Sequence, residues 1–239
     1  MTQHAFYQNP RPLDAVRDAT TKVRAITDLG FARRANNVPI NLVEFSAAAR
    51  CYPIGFIGPH AQPAAMVGLR EDNLFLNEEG HWKAGAYVPG FVRRYPFIFA
   101  DTDMKTTLQL CIDDTPQTLS DTDGRPLFEN GQPSDLTNQA LEFCRQFHAG
   151  AQATNAFVAA IKDAGLLIDR MVEIRLADGS TFTLSGFQSI DPDRLRKLPA
   201  DTLARWNEAD WLAPIFLHLQ SMTNWNDLMA LTPGNGATP

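Results

Sequence analysis

The chain has only three cysteines among its 239 residues, and Cys51, Cys111 and Cys144 are far apart and odd in number. No Cys-x-x-Cys pair occurs. A disulfide framework and a zinc knuckle are both excluded, and free thiols are expected. No run of about 18 apolar residues exists, so no transmembrane helix is expected. The first 18 residues include His4, Arg11, Asp14 and Arg17, with no apolar stretch of signal-peptide length, which predicts a cytoplasmic protein. Positive charge is in deficit: 21 Lys and Arg against 27 Asp and Glu leave a net charge of −6. Nucleic-acid binding needs a basic footprint and is not expected.

Local motifs for common chemistries are missing too. None of His4, His60, His81, His148 and His218 has a carboxylate two residues later, and no His-Glu-x-x-His occurs. Asp121-Thr122-Asp123-Gly124 resembles part of a calcium loop. The frame set by Gly124 would put Leu119 first and Asn130 twelfth, so it reads as a polar turn. Phosphate-binding glycine loops and a Gly-x-Ser-x-Gly elbow are absent. No metal or cofactor is expected.

What is present can build a sizeable core: 44% of residues are hydrophobic. Residues 1–36 read as an extended arm, 37–231 as a single domain and 232–239 as a flexible tail. Asn41 caps a short helix through Ala49, stopped by Tyr52-Pro53. Strands are expected at 54–57, in a hairpin of 64–69 with 73–76, and in a pair of 97–100 with 107–112. The acidic stretch 113–133 should carry little regular structure. Ser134 caps a long helix that ends near Gly165. Residues 171–176 and 181–184 flank an Asp178-Gly179 turn and should pair antiparallel. The C-terminal part is helical again. The fold class is α+β: a mainly antiparallel sheet, a short helix in the N-terminal half, and two larger helical segments in the C-terminal half.

One phrase nearly repeats. Val38-Pro39 is followed by Glu44-Phe45 and then Arg50-Cys51-Tyr52-Pro53; Val88-Pro89 is followed by Phe91-Val92 and then Arg93-Arg94-Tyr95-Pro96. Proline should end a helical turn in each copy and hand over to a strand. The two strands are expected in one sheet, with their arginines at the same end. Arg50, Arg93 and Arg94, with Tyr52, Tyr87 and Tyr95, are the candidate binding residues. A guanidinium is planar, permanently charged and bidentate, suited to a carboxylate, a phosphate or a peptide terminus. The competing role is structural, with the arginines paired to Glu44, Asp101 or Asp103. No catalytic residue can be assigned.

The chain resembles the SapC family of bacterial proteins. The residues that carry the likeness include Asn37-Val38-Pro39, Glu44-Phe45, Ala48-Ala49-Arg50, Tyr52-Pro53, Trp82, Tyr87-Val88-Pro89, the string from Phe91 to Phe97, Cys111-Ile112-Asp113 and Gly186-Phe187. Cys51 departs from the pattern, where a larger or charged residue is expected. The resemblance implies association with a bacterial surface layer or outer-membrane system, and hence a place at the cell surface. It implies no catalytic residues. An unrelated transport permease shares the name, but it would need several apolar spans that this chain lacks. The expectation is a non-enzymatic accessory or binding protein acting on a protein or peptide partner. The alternatives are an enzyme of unrecognised type with an Arg/Tyr-lined pocket and a structural surface-layer component. Oligomeric state is left open.

Overall fold

Both copies of the repeated phrase fold as a helical turn closed by proline and followed at once by a strand. The computed structural model describes residues 6–101, 108–175, 179 and 181–232. In chain order its strands are β1 (Pro10–Pro12), β2 (Lys22–Val23), β3 (Asn37–Pro39), β4 (Ile54–Ile57), β5 (Gln62–Met66), β6 (Phe97–Asp101), β7 (Leu108–Asp113), β8 (Leu119–Ser120), β9 (Arg125–Pro126), β10 (Phe128–Glu129), β11 (Gln132–Pro133), β12 (Leu167–Arg175) and β13 (Thr181–Ile190). Its helices are α1 (Phe45–Ala48), α2 (Gly90–Arg93), α3 (Asp135–Asp163), α4 (Pro192–Arg196), α5 (Ala200–Glu208), α6 (Leu212–Ser221) and α7 (Trp225–Ala230). The fold is α+β, and every strand pairing is antiparallel.

The largest sheet has the order β12-β13-β4-β5-β3; β1-β7-β6 and β8-β2-β9 form two smaller ones. The expected pair β12 and β13 is there, with Arg175 opposite Thr181; the turn residues 176–178 and 180 lie outside the described residues. Helix α3 starts at the Ser134 cap, whose side chain accepts the Thr137 amide. At about 1.5 Å per residue its 29 residues reach roughly 43 Å, long enough to serve two cores. Cys144, near its middle, packs with Phe97, Phe99, Leu110 and Ile112 of the β1-β7-β6 sheet. Phe157, Val158 and Ile161, further on, pack with Phe56, Ile190, Trp206 and Ile215.

Three expectations need correction. Strands β4 and β6 do not share a sheet: β4 lies between β5 and β13, whereas β6 pairs with β7. The repeat sets only the local turn, and partner strands decide sheet membership; Ala64 and Ala65 of β5 are fully buried and let β3 and β4 close on either side. The 64–69 hairpin with 73–76 does not form either. Asn73 folds its own segment into a turn, accepting the Phe75 amide (3.0 Å) and donating to Ala32 O (3.3 Å), and side-chain bonds of this kind compete with a strand ladder. Residues 113–133 are not irregular throughout. They supply β8 to β11, with Asn130 and Gly131 at φ 52° and 73° turning the β10–β11 hairpin, and Leu127 fully buried. Of the stretch read as an arm, β1 pairs with β7, β2 pairs with β8 and β9, and Phe6, Ala32 and Ala35 are buried.

Helix α6 is stitched to the large sheet from inside. His218 is fully buried, and its Nε2 accepts the Ile190 amide of β13 (3.0 Å). Ser221 Oγ donates to His218 O (2.7 Å) and accepts the Ile54 amide of β4 (3.0 Å). Burial pushes the His218 pKa from 6.5 down to about 4. The unfolded chain binds a proton below pH 6.5 and the folded chain only near pH 4, so stability is full above 6.5 and falls as the pH drops through this window. The expected loss is about 3 kcal/mol between pH 6.5 and 4. His218→Gln keeps an acceptor for Ile190 without titrating, and should flatten that loss in denaturation midpoints measured across the window.

Candidate functional site

Helix α2, the single turn that carries two of the candidate arginines, is pinned at both ends by buried carboxylates. On one side, residues 41–44 wind into a 3₁₀ turn leading to α1. Glu44 reaches back to the Asn41 amide (2.8 Å), the return half of a capping box. Its other oxygen accepts the Tyr87 hydroxyl (2.9 Å) and the Gly90 amide (2.6 Å). Glycine permits this approach, because a Cβ at position 90 would sit 3.2 Å from that oxygen. Burial, and then the Glu44 charge, raises the Tyr87 pKa.

On the other side, Asp113 is fully buried at the end of β7. One oxygen accepts the amides of Gln8 (2.9 Å) and Asn9 (2.6 Å), and the other accepts the Tyr95 hydroxyl (2.9 Å). The Tyr95 ring stacks on Phe31, with centroids 4.2 Å apart. Burial, then the bond to Asp113, raises its pKa. The Tyr95–Pro96 peptide is cis.

Between these anchors the adjacent arginines take opposite environments. Arg93 is exposed. Its Nε donates to Val88 O and one terminal nitrogen to the Tyr87 hydroxyl, both at 2.9 Å. Its guanidinium carbon lies 5.5 Å from the Tyr87 ring centroid and 5.3 Å from that of Phe143. Arg94 is buried, with its guanidinium 4.2 Å from the Phe91 centroid and 4.8 Å from that of Phe147. Burial lowers its pKa and pushes that of nearby Cys144 up to about 11. Glu44 therefore holds a tyrosine and backbone amides, not an arginine, and Arg93 reaches it only through Tyr87. The Asp101 side chain and Asp103 lie outside the described residues.

A cleft of about 760 Å³ opens beside α2. Arg93, Arg94 and Tyr95 line one wall, residues 23–27 another, the 123–125 turn a third, and Leu136, Ala140 and Phe143 of α3 the last. Its charged residues are Arg24, Arg93, Arg94, Arg125 and one carboxylate, Asp123. Arg24 pairs with Asp123 (2.9 Å). Arg93 and Arg125 form no ion pair among the described residues. Gly124 is needed here: its φ is 115°, and a Cβ would lie 2.3 Å from Val23 O.

The other two candidates lie elsewhere. Tyr52 is fully buried; its hydroxyl accepts from Trp82 Nε1 (2.9 Å) and donates to Tyr87 O, so it supports Tyr87 from the core. Arg50 is exposed on a separate hollow of about 480 Å³ with Lys83 and Asp227, beside half-buried Cys51. The structure thus joins Arg93, Arg94 and Tyr95 with Tyr87 behind them, and it adds Arg24, Arg125 and Phe143. No local pattern in the sequence marks those three. The described residues hold no group of three or more His, Cys, Asp or Glu placed for a metal, and no helix long and apolar enough to cross a membrane.

Compared with known families, residues 13–228 match the SapC family. No curated protein and no solved structure matches.

The pinning of α2 can be measured. Glu44→Ala strands the Asn41 and Gly90 amides in buried surroundings and should lower stability by about 3 kcal/mol. Tyr87→Phe removes the hydroxyl that donates to Glu44 and accepts from Arg93, and should cost about 2 kcal/mol. Urea denaturation midpoints at neutral pH check both values.

Proposed function

The chain belongs to the SapC family, and we propose that it acts as a non-enzymatic binding protein whose arginine-walled cleft grips an anionic group on a protein or peptide partner. Family resemblance suggests that this partner belongs to a bacterial surface-layer or outer-membrane system. The observation that carries this reading is the charge of the cleft: four arginines, one of them buried, line it with one carboxylate, in a chain whose net charge is −6. Low-dielectric walls focus such a field and raise the local concentration of anions. Arg93 is held ready, because Val88 and Tyr87 fix its guanidinium and aromatic rings flank it, so little side-chain freedom remains to be lost on binding.

The titratable groups around the cleft also favour binding over catalysis. Tyr7, Tyr87 and Tyr95 are raised away from neutral pH, as is the Cys144 thiol. An acid or base that works near pH 7 needs the opposite shift.

Tagged wild-type and Arg93→Ala proteins, exposed to native-host lysate, should differ. The variant should lose the specifically retained partner, while its melting curve stays close to wild type, because an exposed arginine with no ion pair among the described residues contributes little to stability. Retention in wild type should weaken with added salt. A variant that melts far lower yet still retains the partner would refute the reading.

A further inference from the structure

The arginine cleft has an unusual wall. Strand β2 is paired on both sides, by β8 and β9, and the Arg24 amide still donates to Thr118 O (2.9 Å). Past Arg24 both neighbours turn away. Residues 25–28 then run on with no backbone hydrogen bond to any described residue. Ala25, Thr27 and Asp28 are exposed and Ile26 is half-buried. Two cavities border this strap: the arginine cleft of about 760 Å³, and a second of about 480 Å³ reached by Phe31 and Gln8, with Tyr95 and Gln117 lining both. Unpaired amides and carbonyls in a row are a template for another strand.

We propose that the strap is a strand-addition site: an extended acidic peptide of the partner lies in the cleft and pairs its main chain with residues 25–28. Charge selects this occupant. Successive side chains of an extended chain point to opposite faces, so a peptide with an acidic residue at every second position can turn one whole row of carboxylates toward Arg93 and Arg125. Four residues offer two amides and two carbonyls to one side. The inference rests on the cleft being the partner site.

The test uses the full chain and a fluorescein-labelled hexapeptide alternating glutamate with valine, read by fluorescence anisotropy, with a lysine–valine hexapeptide as control. The glutamate peptide should bind and the lysine peptide should not. Consecutive amides of an extended strand face opposite ways, so proline replacements should act with period two. Either Ile26→Pro alone, or Ala25→Pro and Thr27→Pro together, should weaken binding tenfold or more. N-methylation of the peptide's alternate amides should do the same on wild-type protein, which keeps the test valid if a proline variant fails to fold. Should Arg93→Glu abolish binding while every proline variant and the N-methylated peptide bind normally, the strand pairing is overturned and the anion-gripping cleft stands. If the glutamate peptide does not bind wild type at all, the acidic-peptide inference falls; retention of the native partner by Arg93→Ala would separately bring down the cleft.

Discussion

The Glu44 carboxylate is the constraint from which the site follows. It is buried, and a buried charge is tolerated only where donors surround it. Three are supplied from two parts of the chain: the Asn41 amide at the start of its own turn, and the Tyr87 hydroxyl and Gly90 amide 43 and 46 residues later. The carboxylate thereby fixes where the second copy of the repeated phrase begins relative to the first. Asp113 does the same at the far end, tying Tyr95 to the N-terminal amides of Gln8 and Asn9. A helix of one turn cannot hold itself together in water. With an anchor at each end, α2 becomes a rigid bracket.

The bracket separates two neighbouring arginines. Because consecutive residues on a helical turn diverge, Arg93 emerges while Arg94 turns inward among Phe91, Phe147 and Tyr7. Aromatic faces are favourable company for a guanidinium that has left water. The two residues thus divide the work: Arg94 packs inward among its rings, and Arg93 offers charge at the wall of the cleft. Tyrosine hydroxyls and backbone amides satisfy Glu44 and Asp113, so the exposed Arg93 guanidinium is not consumed by these two carboxylates.

How much of this was legible in the sequence depended on range. Signals within a few residues were sound: the short helical segment that starts at Asn41, the Ser134 cap, the prolines closing both phrases, and the pairing of β12 with β13. Signals that needed distant partners were not. Nothing local says that β5 takes β3 and β4 as neighbours, or that β6 joins β7 and β1 instead of the large sheet. The candidate site split for the same reason. Arg93, Arg94 and Tyr95 are adjacent in sequence and stay together. Arg50 went to another face, since its copy of the phrase feeds a different sheet. Arg24 and Arg125 meet the site through the β2–β9 pairing, which spans about a hundred residues and leaves no local mark.

Overall charge and local charge are separate quantities, and the difference matters for what this protein can hold. Beyond the Debye length, roughly 8 Å at physiological ionic strength, charge is largely screened, and the net charge of −6 offers an anionic partner no long-range attraction. Inside that range the nearest charges dominate, and around the cleft those are arginines. In the proposed mode an acidic segment is therefore captured on close approach instead of being steered from afar. Such a site favours a partner already brought near, by a shared surface or a shared assembly, over one that must be collected from dilute solution. The unpaired strap beside the arginines adds a second requirement, an extended backbone, that a free small anion cannot meet. In the proposed binding mode, charge and main-chain geometry together select a peptide over inorganic anions.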